Sequence, residues 1–455
     1  MDHVGNRFFG RERIVREIVM GVLAPQPTSF SIVGTKYTGK TLLLQHLTAP
    51  DGPLHGEEFD AWRPAGFADG RAVISTIVDC SWSDVRSDLM GYLVTHVRRQ
   101  LETDEGIDLD WRAVENQPTS ARQMLQVTRQ LRGLGLRLVV FMDNFDRIFE
   151  DQLISHDNAD ELRPLTLELA LVVTTQQPLH DLDRELAASP LFNVMTQLFI
   201  GLIEPEAARA WLMEYAVRFP AVTELMDLLL ELTGMHPFLL RRVGDIFGEI
   251  QQYLAPGEVA GPAHAELIRL RLAEHGRLLF TTQWRKLQEP TRIPAATVQT
   301  LLTQLVAGPL SPAKVERAQM STLNWLINQA VVSFGPQGYK LYSPLFAEFI
   351  APRLLPAQEQ APRPVTPGTP LEDLPIYTEL TKTEEALLRY FRARANTIIS
   401  PEQLLADVWN RPDASPRRVQ EAIRRLRLQL AEARPPVGNI ENERGRGYRF
   451  VPSGA

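Results

Sequence analysis

FSIVGTKYTGKTLLLQHL, residues 30–47 of this 455-residue chain, predicts how the first part of the chain folds. A short apolar run, FSIV, leads into GTKYTGKT, and an apolar helix-forming run follows at once. Gly34 and Gly39 allow a tight turn, so backbone N–H groups and the positive end of the next helix can face phosphate oxygens. Lys40 adds a cation for the β- and γ-phosphates, and Thr41 offers a hydroxyl to Mg²⁺. The stretch therefore predicts a strand, a phosphate-binding loop and a helix.

Other apolar runs in the first half of the chain have the length of buried strands. They span 72–80, 136–146 and 167–175, and amphipathic segments at 83–102 and 119–134 lie between the first two. Apolar strands that alternate with helices are typical of a parallel sheet covered on both faces. We therefore predict an α/β fold, a P-loop NTPase sheet, for this part of the chain.

An acidic residue ends one of these runs. Asp143 closes LVVFMD, and a carboxylate at a strand end beside the phosphate loop can hold Mg²⁺ through its water shell. The next residue is Asn144, whereas many ATPases of this broad class have a glutamate there that activates water. Asp146 is the nearest substitute. We assign Lys40, Asp143 and Asp146 as catalytic candidates and expect slow hydrolysis.

Composition excludes several classes of protein. The chain is 44% apolar and 23% charged, its net charge is −7, and its length suggests about three domains. This charge argues against nucleic-acid binding over the whole surface, but it permits a local basic module. Cys80 is the only cysteine, so no internal disulfide is possible. Residues 1–25 do not resemble a signal peptide, and the sequence lacks a run of about 18 apolar residues, so we expect a cytoplasmic protein without a membrane span.

The rest of the chain divides by composition. Helical periodicity dominates from residue 204, and the later sequence VVSFGPQGYKLYSPLF predicts a β-hairpin. Six prolines in 356–375 favour an extended spacer, with a structured proline-rich loop as the alternative. The predicted domains are an NTPase domain at 1–203, a helical lid at 204–275, a first winged helix at 276–355, the linker at 356–375 and a second winged helix (α+β) at 376–455.

Several segments resemble a known family, the signal-transduction ATPases with numerous domains (STAND), a branch of the AAA+-like P-loop proteins. Besides the phosphate loop and Asp143, RFFGRERIV at 7–15 resembles the segment that lies against adenine, and LVVTT at 171–175 resembles the sensor-1 strand. TGMHPFLL at 233–240 resembles the lid segment whose proline contacts the base. YSPLFAEFI at 342–350 is similar to the end of the winged helix that follows such lids.

This resemblance implies that ATP or ADP binds with Mg²⁺. It places cofactor contacts at Arg11, Gly34, Gly39, Lys40, Thr41, Thr175 and Pro237, and metal contacts at Thr41 and Asp143. The sequence departs from the family at Gln176, where an arginine is frequent, and at Ser343, the nearest match to a histidine that some members place on the β-phosphate. We interpret His236 as a packed or capping residue in preference to a nucleotide ligand.

The C-terminal segment resembles the OmpR/PhoB-type winged helix throughout. Its helices match 380–391, 399–409 and 415–430, and its wing matches 440–451. The third helix has one apolar face, formed by Val419, Ile423, Leu426 and Leu430.

Residues 376–455 contain fourteen Lys and Arg but ten Asp and Glu, so this module is basic. The resemblance places the recognition helix in the major groove of double-stranded DNA, with the wing on the adjacent backbone. The candidate contacts are Arg417, Arg418, Arg424, Arg425 and Arg427 on the helix and Arg444, Arg446 and Arg449 on the wing. A protein-binding role and an inert solvated surface remain alternatives. The corresponding segment of the first winged helix, 318–332, lacks a basic cluster and is expected to pack on the NTPase core.

Two classes of function follow. The first is a nucleotide-gated transcription regulator, in which ATP or ADP sets the lid and the first winged helix and thereby controls the DNA-binding module. The second is a STAND-type sensor or scaffold, for instance in phage defence, that forms a homo-oligomer on a trigger and recruits a separate effector protein. An initiator-like or transposition ATPase is a third possibility.

Overall fold

The computed structural model describes residues 8–67, 70–102, 107–150, 165–182, 194–254, 259–290, 293–354, 376, 380–409, 417–433, 436–443 and 446–453. The chain divides into two compact units, unit 1 (Met1–Leu354) and unit 2 (Leu355–Ala455). The predicted linker at 356–375 lies outside the described residues. Among the residues described, no helix is both long and apolar enough to cross a lipid bilayer.

A five-stranded parallel sheet forms the centre of the first part of unit 1. Its strand order is β2-β3-β4-β1-β5. The strands are β1 (Ser29–Val33), β2 (Val73–Asp79), β3 (Arg137–Asp143), β4 (Ala170–Thr175) and β5 (Met195–Phe199). The α/β fold is thus confirmed, with β5 as an edge strand that the sequence analysis did not identify. Because all strands are parallel, their carboxyl ends share one edge of the sheet.

Helices cover both faces of this sheet, which explains why its central strands are apolar throughout. On β3, Val140 and Met142 face one core, and Val139 and Phe141 face the other. The helices are α1 (Glu12–Val22), α2 (Lys40–Thr48), α3 (Ser83–Ser87), α4 (Leu89–Glu102), α5 (Trp111–Glu115), α6 (Ser120–Gly133), α7 (Arg147–Glu150) and α8 (Leu179–Leu182). α4 and α6 pack against one face, and α1 and α2 pack against the other.

The second part of unit 1 is helical and ends in the predicted hairpin, β6 (Val332–Gly335) and β7 (Gly338–Leu341). Its helices are α9 (Pro205–Ala216), α10 (Ala221–Glu224), α11 (Met226–Thr233), α12 (Pro237–Tyr253), α13 (Ala265–Gln288), α14 (Ala295–Ala307), α15 (Met320–Asn328) and α16 (Pro344–Leu354). The predicted boundary between lid and first winged helix, at 275/276, lies inside α13. One hydrophobic core extends from Ile203 to Ile350 across both segments, so lid and first winged helix share a helix and a core.

Unit 2 is a winged helix with its own hydrophobic core. It consists of α17 (Lys382–Ala393), β8 (Ile398–Ile399), α18 (Pro401–Asp407), α19 (Arg417–Glu432), β9 (Gly438–Glu443) and β10 (Gly447–Pro452). The three strands form an antiparallel sheet of order β8-β10-β9. The predicted apolar face of α19 is buried, from Val419 at 0% exposure to Leu430 at 3%. Capping boxes at Thr381 and Ser400 fix the starts of α17 and α18.

Candidate functional site

The phosphate loop connects β1 to α2 at the carboxyl edge of the sheet. Gly39 precedes α2 with φ +86°, a left-handed conformation that favours glycine. A Cβ at Gly34 would meet the carbonyl oxygen of Ile200 at 2.8 Å, so only glycine fits there without displacement. Both predicted glycines are therefore required by the shape of the loop.

Lys40 lies at the centre of this loop. Its Nζ donates hydrogen bonds to the carbonyl oxygens of Gly34 at 2.7 Å and Thr35 at 3.0 Å. Burial lowers the pKa of Lys40 to about 8, against the opposite effects of Asp146 and Asp143. A desolvated ammonium group with weak neutral acceptors is well suited to a polyphosphate, because an anion would stabilise its charge.

Asp143, at the end of β3, accepts hydrogen bonds on both carboxylate oxygens. Thr41 Oγ1 donates to Oδ2 at 2.6 Å, and Thr174 Oγ1 on β4 donates to Oδ1. The hydroxyl of Thr41 and this carboxylate are thus close enough for one hydrated Mg²⁺ to contact both. Thr175 Oγ1 is buried at the same edge without a hydrogen-bond partner among the described residues. These features fit a Mg²⁺–nucleotide.

The two residues proposed to affect hydrolysis are held by neighbours. Asn144, at φ 54°, donates from Nδ2 to Asp79 Oδ1 at 3.0 Å. Asp146 accepts from Gln176 Nε2 at 2.9 Å. Burial raises the pKa of Asp146, whereas the hydrogen bond from Gln176 and the charge of Lys40 lower it. The Asp146 carboxylate and the Lys40 ammonium group therefore interact.

Arg11 supports the phosphate loop through hydrogen bonds to backbone carbonyl groups. Its guanidinium group donates to the carbonyl oxygens of Thr38 and Gly201, the latter at 3.0 Å, and NH1 lies 3.3 Å from the position of a Cβ at Gly39. Burial lowers the pKa of Arg11 to about 10, although Glu204 counteracts this effect. Since these contacts are with backbone carbonyls, Arg11 shapes the loop. A direct phosphate contact by Arg11 stays a prediction.

The lid reaches the loop through the start of α12. Phe238 packs on Tyr37 of the loop with ring centroids 5.0 Å apart, and the neighbouring Pro237 is buried. His236 Nδ1 accepts a hydrogen bond from Phe238 N at 3.2 Å, and burial together with Arg11 lowers the pKa of His236 to about 3. His236 is therefore a neutral capping residue. Ser343 donates to the carbonyl oxygen of Leu232 at 2.6 Å, so its hydroxyl joins the winged helix to the lid.

Sequence reasoning missed Lys286, which α13 brings to the same edge of the sheet. Its Nζ donates to the carbonyl oxygen of Gln176 at 2.8 Å. It lines a cavity of about 360 Å³ together with Thr35 and Lys36 of the loop. No motif surrounds Lys286 in the sequence, so only the tertiary structure identifies it.

In unit 2 the arginines of α19 separate into two groups. Arg424 and Arg425 are exposed, and both pair with Glu421, at 3.2 and 3.1 Å. Arg427 is partly buried and donates to the carbonyl oxygen of Ile440 at 2.7 Å, so it also holds the wing. The side chains of Arg417 and Arg418, and Arg444 as a whole, lie outside the described residues.

On the wing, Arg446 is exposed, whereas Arg449 pairs with Glu441 at 2.7 Å and Glu443 at 2.8 Å. The exposed cations of the described part of unit 2 that can face a polyanion thus include Arg424, Arg425 and Arg446. Arg427 and Arg449 also make contacts within unit 2, and the DNA contacts predicted for all these arginines stay predictions.

Comparison with known proteins agrees with this structure of unit 2. Residues 377–450 match the family "Transcriptional regulatory protein, C terminal". Among proteins with curated functions, none is significantly similar to this chain.

Three solved structures resemble this chain at low sequence identity. The Walker-type ATPase PABY2304 of Pyrococcus abyssi is 14% identical, with a TM-score of 0.48 over 76% of this chain and 96% of its own. The ORC2 protein of Aeropyrum pernix, in ADPNP–ADP complexes, is 12% identical, with a TM-score of 0.43 over 77% and 96%. The ORC1 protein of the same organism, in complex with DNA, is 18% identical, with a TM-score of 0.35 over 78% and 96%.

Proposed function

We propose that this protein is an ATP/ADP-binding switch of the STAND type, whose nucleotide state controls double-stranded DNA binding by unit 2. The observation that carries the proposal is the arrangement of Lys40, Thr41 and Asp143 around a phosphate loop of the required shape. The match of residues 377–450 to the C-terminal domain of transcriptional regulators supports the DNA-binding half.

Bound Mg²⁺–ATP supplies the negative charge and the metal for which these side chains are suited. The N–H groups of the loop and Lys40 would bind the phosphates, and Thr41 and Asp143 would hold the metal. Thr175, whose hydroxyl has no hydrogen-bond partner among the described residues, lies at the same edge. Asn144 has no basic oxygen for a water proton, and its amide is bound to Asp79. Hydrolysis is therefore slow, and the binding energy of the nucleotide sets the conformation.

On DNA, α19 is the recognition helix. Arg424 and Arg425 lie on its solvent-facing side, opposite the buried Val419 and Leu426. Arginine side chains on such a helix contact guanine edges or phosphates in the major groove. Glu421 holds both guanidinium groups in the free protein, and phosphates or guanine edges replace it on DNA.

A binding assay with random-sequence duplex DNA tests this function. The intact protein is titrated by fluorescence anisotropy with ADP, with a non-hydrolysable ATP analogue and without nucleotide. We expect the Arg424→Ala/Arg425→Ala variant to lose DNA binding, and wild-type affinity to fall steeply with salt. Arg389→Ala, an exposed arginine of α17 that pairs with Glu385, is the matched control and should bind normally.

The effect of nucleotide is tested in the same assay. Wild-type DNA affinity should differ between ADP and the ATP analogue, and Lys40→Ala should abolish that difference. If wild type does not bind DNA at low salt with any nucleotide, the transcription-regulator function is wrong, and the sensor or scaffold that recruits an effector replaces it.

A further inference from the structure

Lys286 lies near the end of α13 and links that helix to the sheet. It donates to the carbonyl oxygen of Gln176, just beyond β4, and the side chain of Gln176 donates to Asp146, just beyond β3. The lysine is 110 residues away from Gln176 in the sequence. A cation that belongs to the lid and first winged helix therefore lies at the carboxyl edge of the strands.

The charges around Lys286 come from the phosphate loop, β3 and α8. Burial lowers the pKa of Lys286 to about 8, Asp146 and Asp181 raise it, and Lys36 lowers it. Lys286 also lowers the pKa of Lys40. The exposed Lys36 and the buried Lys40 thus both repel Lys286, and a multiply charged anion would relieve this repulsion.

The cavity beside Lys286 extends from the first half of the phosphate loop. Thr35 and Lys36 line it on the loop side, and Lys286 and Trp325 line it on the lid side. The N-terminus of α2 and Lys40 lie at the other end of the loop. In a P-loop the backbone holds the α- and β-phosphates, and the lysine reaches the β- and γ-phosphates. The space next to Lys36 is therefore where the far end of a triphosphate has room.

We propose that Lys286 binds the terminal phosphate of ATP, so that α13 responds to the presence or absence of that phosphate. This inference rests on the nucleotide binding proposed above. Gln176, at the end of β4, is neutral, so α13 supplies the positive charge on this side of the cavity. With ADP, Lys286 keeps the carbonyl oxygen of Gln176 as its acceptor; with ATP it exchanges this neutral acceptor for an anionic one, a stronger hydrogen bond.

Contacts around Lys286 carry the change to the first winged helix. Gln283, one turn earlier on α13, accepts a hydrogen bond from Tyr342 Oη at 2.9 Å. Gln329, just after α15, accepts one from Thr35 Oγ1 at 3.5 Å and lines the same cavity. A shift of Lys286 toward a phosphate therefore acts on residues that α13, α15 and the β7–α16 junction hold in place.

The test compares affinities for two nucleotides in the full-length protein. Calorimetric titration with Mg²⁺–ADP and with Mg²⁺–AMPPNP gives both dissociation constants for wild type, Lys286→Gln, Lys286→Arg and the control Lys314→Gln. Lys314 is an exposed lysine of the first winged helix, outside this cavity. We expect Lys286→Gln to weaken AMPPNP binding by about tenfold or more and to change ADP binding little, as for the loss of a hydrogen bond to a charged group.

A second measurement separates phosphate binding from a purely structural role. In wild type, hydrogen exchange in peptides covering 320–332 should differ between ADP and AMPPNP. In Lys286→Gln that difference should disappear, and Lys286→Arg should retain both it and the affinity ratio. If Lys286→Gln keeps the wild-type ratio, or loses both ligands equally while Lys286→Arg does the same, the inference is overturned. If wild type binds neither nucleotide, the proposed nucleotide function itself is wrong.

Discussion

Asp143 is the residue at which three elements meet, because α2 and β4 each donate a hydroxyl to its carboxylate. Asp143→Asn preserves the size of the side chain but places an NH₂ group where one of these donors points. We expect the variant to lose the gain in nucleotide affinity that Mg²⁺ gives, about tenfold. Titrations with Mg²⁺ and with EDTA measure this gain.

Asp79 provides the control for that prediction. It ends the neighbouring strand β2 and accepts a hydrogen bond from Asn144, whereas the hydroxyl of Thr41 donates to Asp143. Asp79→Asn should therefore keep the Mg²⁺ dependence. Full Mg²⁺ dependence in Asp143→Asn would show that the metal is held elsewhere.

The pKa of Lys286 near 8 gives its role a pH dependence. Below pH 8 the ammonium group is charged and can bind a phosphate, and above pH 8 it loses its proton and this contact. We expect the preference for AMPPNP over ADP to fall between pH 7 and pH 9.5, and AMPPNP binding at pH 8.5 to take up protons, because the ligand raises the pKa. Calorimetry in buffers of different ionisation enthalpy measures the uptake.

Arginine removes this titration. The guanidinium group stays charged throughout the range, so Lys286→Arg should keep more of its preference for AMPPNP at pH 9.5 than wild type does, and the loss that remains comes from Lys40, whose pKa is also about 8. A wild-type preference that does not change with pH would contradict the assignment, because burial, with Lys36 and against the opposite effects of Asp146 and Asp181, lowers the pKa of Lys286 to about 8.

The local part of the phosphate site could be predicted from the sequence, because its residues are neighbours along the chain. The loop from Gly34 to Thr41 needs only a strand, two glycines and a helix, and Asp143 follows from the end of one apolar run. The positions of Lys286 and Arg11 depend on contacts between residues that are more than a hundred positions apart in the sequence. Motif spacing does not reveal such contacts. The sequence pattern did not distinguish Arg427 from the other arginines of α19. Only its hydrogen bond to the carbonyl oxygen of Ile440, seen in the structure, does so.

Among the elements, α19 contains an acidic residue that we expect to weaken DNA binding. Glu421 pairs with both Arg424 and Arg425 and places a negative charge on the surface that meets phosphates. We expect Glu421→Gln to raise duplex affinity by about two- to tenfold at low salt, an effect that shrinks as salt rises. Glu385→Gln, which removes the carboxylate that pairs with Arg389 on α17, should leave the affinity unchanged. Weaker binding by Glu421→Gln would mean that α19 does not face DNA.

The turn between α11 and α12 shows how tightly the lid packs on the first winged helix. Gly234 has φ +54°, and a Cβ there would lie 1.9 Å from the carbonyl oxygen of Tyr342. We expect Gly234→Ala to lower the free energy of unfolding of unit 1 by about 2 kcal/mol or more, measured by urea denaturation. Gly133→Ala, at the end of α6 with open space around it, should stabilise by up to about 1 kcal/mol. Equal effects would contradict the packing at Gly234.

The elements themselves differed in how well the sequence predicted them. β3 and β4 are buried on both faces, so their apolar runs are continuous, whereas β5 is an edge strand with exposed Thr196 and Phe199. Its short, interrupted pattern carries too little signal to identify a strand. The boundary predicted at 275/276 lies inside α13, whose buried residues extend from Ile268 to Leu287, and one core covers both sides of that point.

At the scale of the molecule, two units with separate cores differ in charge. Residues 376–455 have four more basic than acidic residues, although the whole chain has a net charge of −7. The core of unit 2, from Ile376 to Phe450, is formed by its own residues. The acidic part of the chain thus contains the candidate nucleotide site, and the basic part contains the candidate DNA surface.

Separate cores predict separate unfolding transitions, and a ligand stabilises most the unit that binds it. In calorimetric scans we expect ADP with Mg²⁺, at about a hundred times its dissociation constant, to stabilise unit 1 by about 2.7 kcal/mol and to move the transition of unit 2 by less, since only the coupling that regulates DNA binding reaches it. Duplex DNA should do the reverse. Lys40→Ala should lose the shift with ADP and keep the shift with DNA, since Lys40 belongs to unit 1. If ADP moved both transitions equally, the two cores would unfold as one cooperative body, because only coupled unfolding transmits ligand stabilisation in full to a unit that does not bind the ligand.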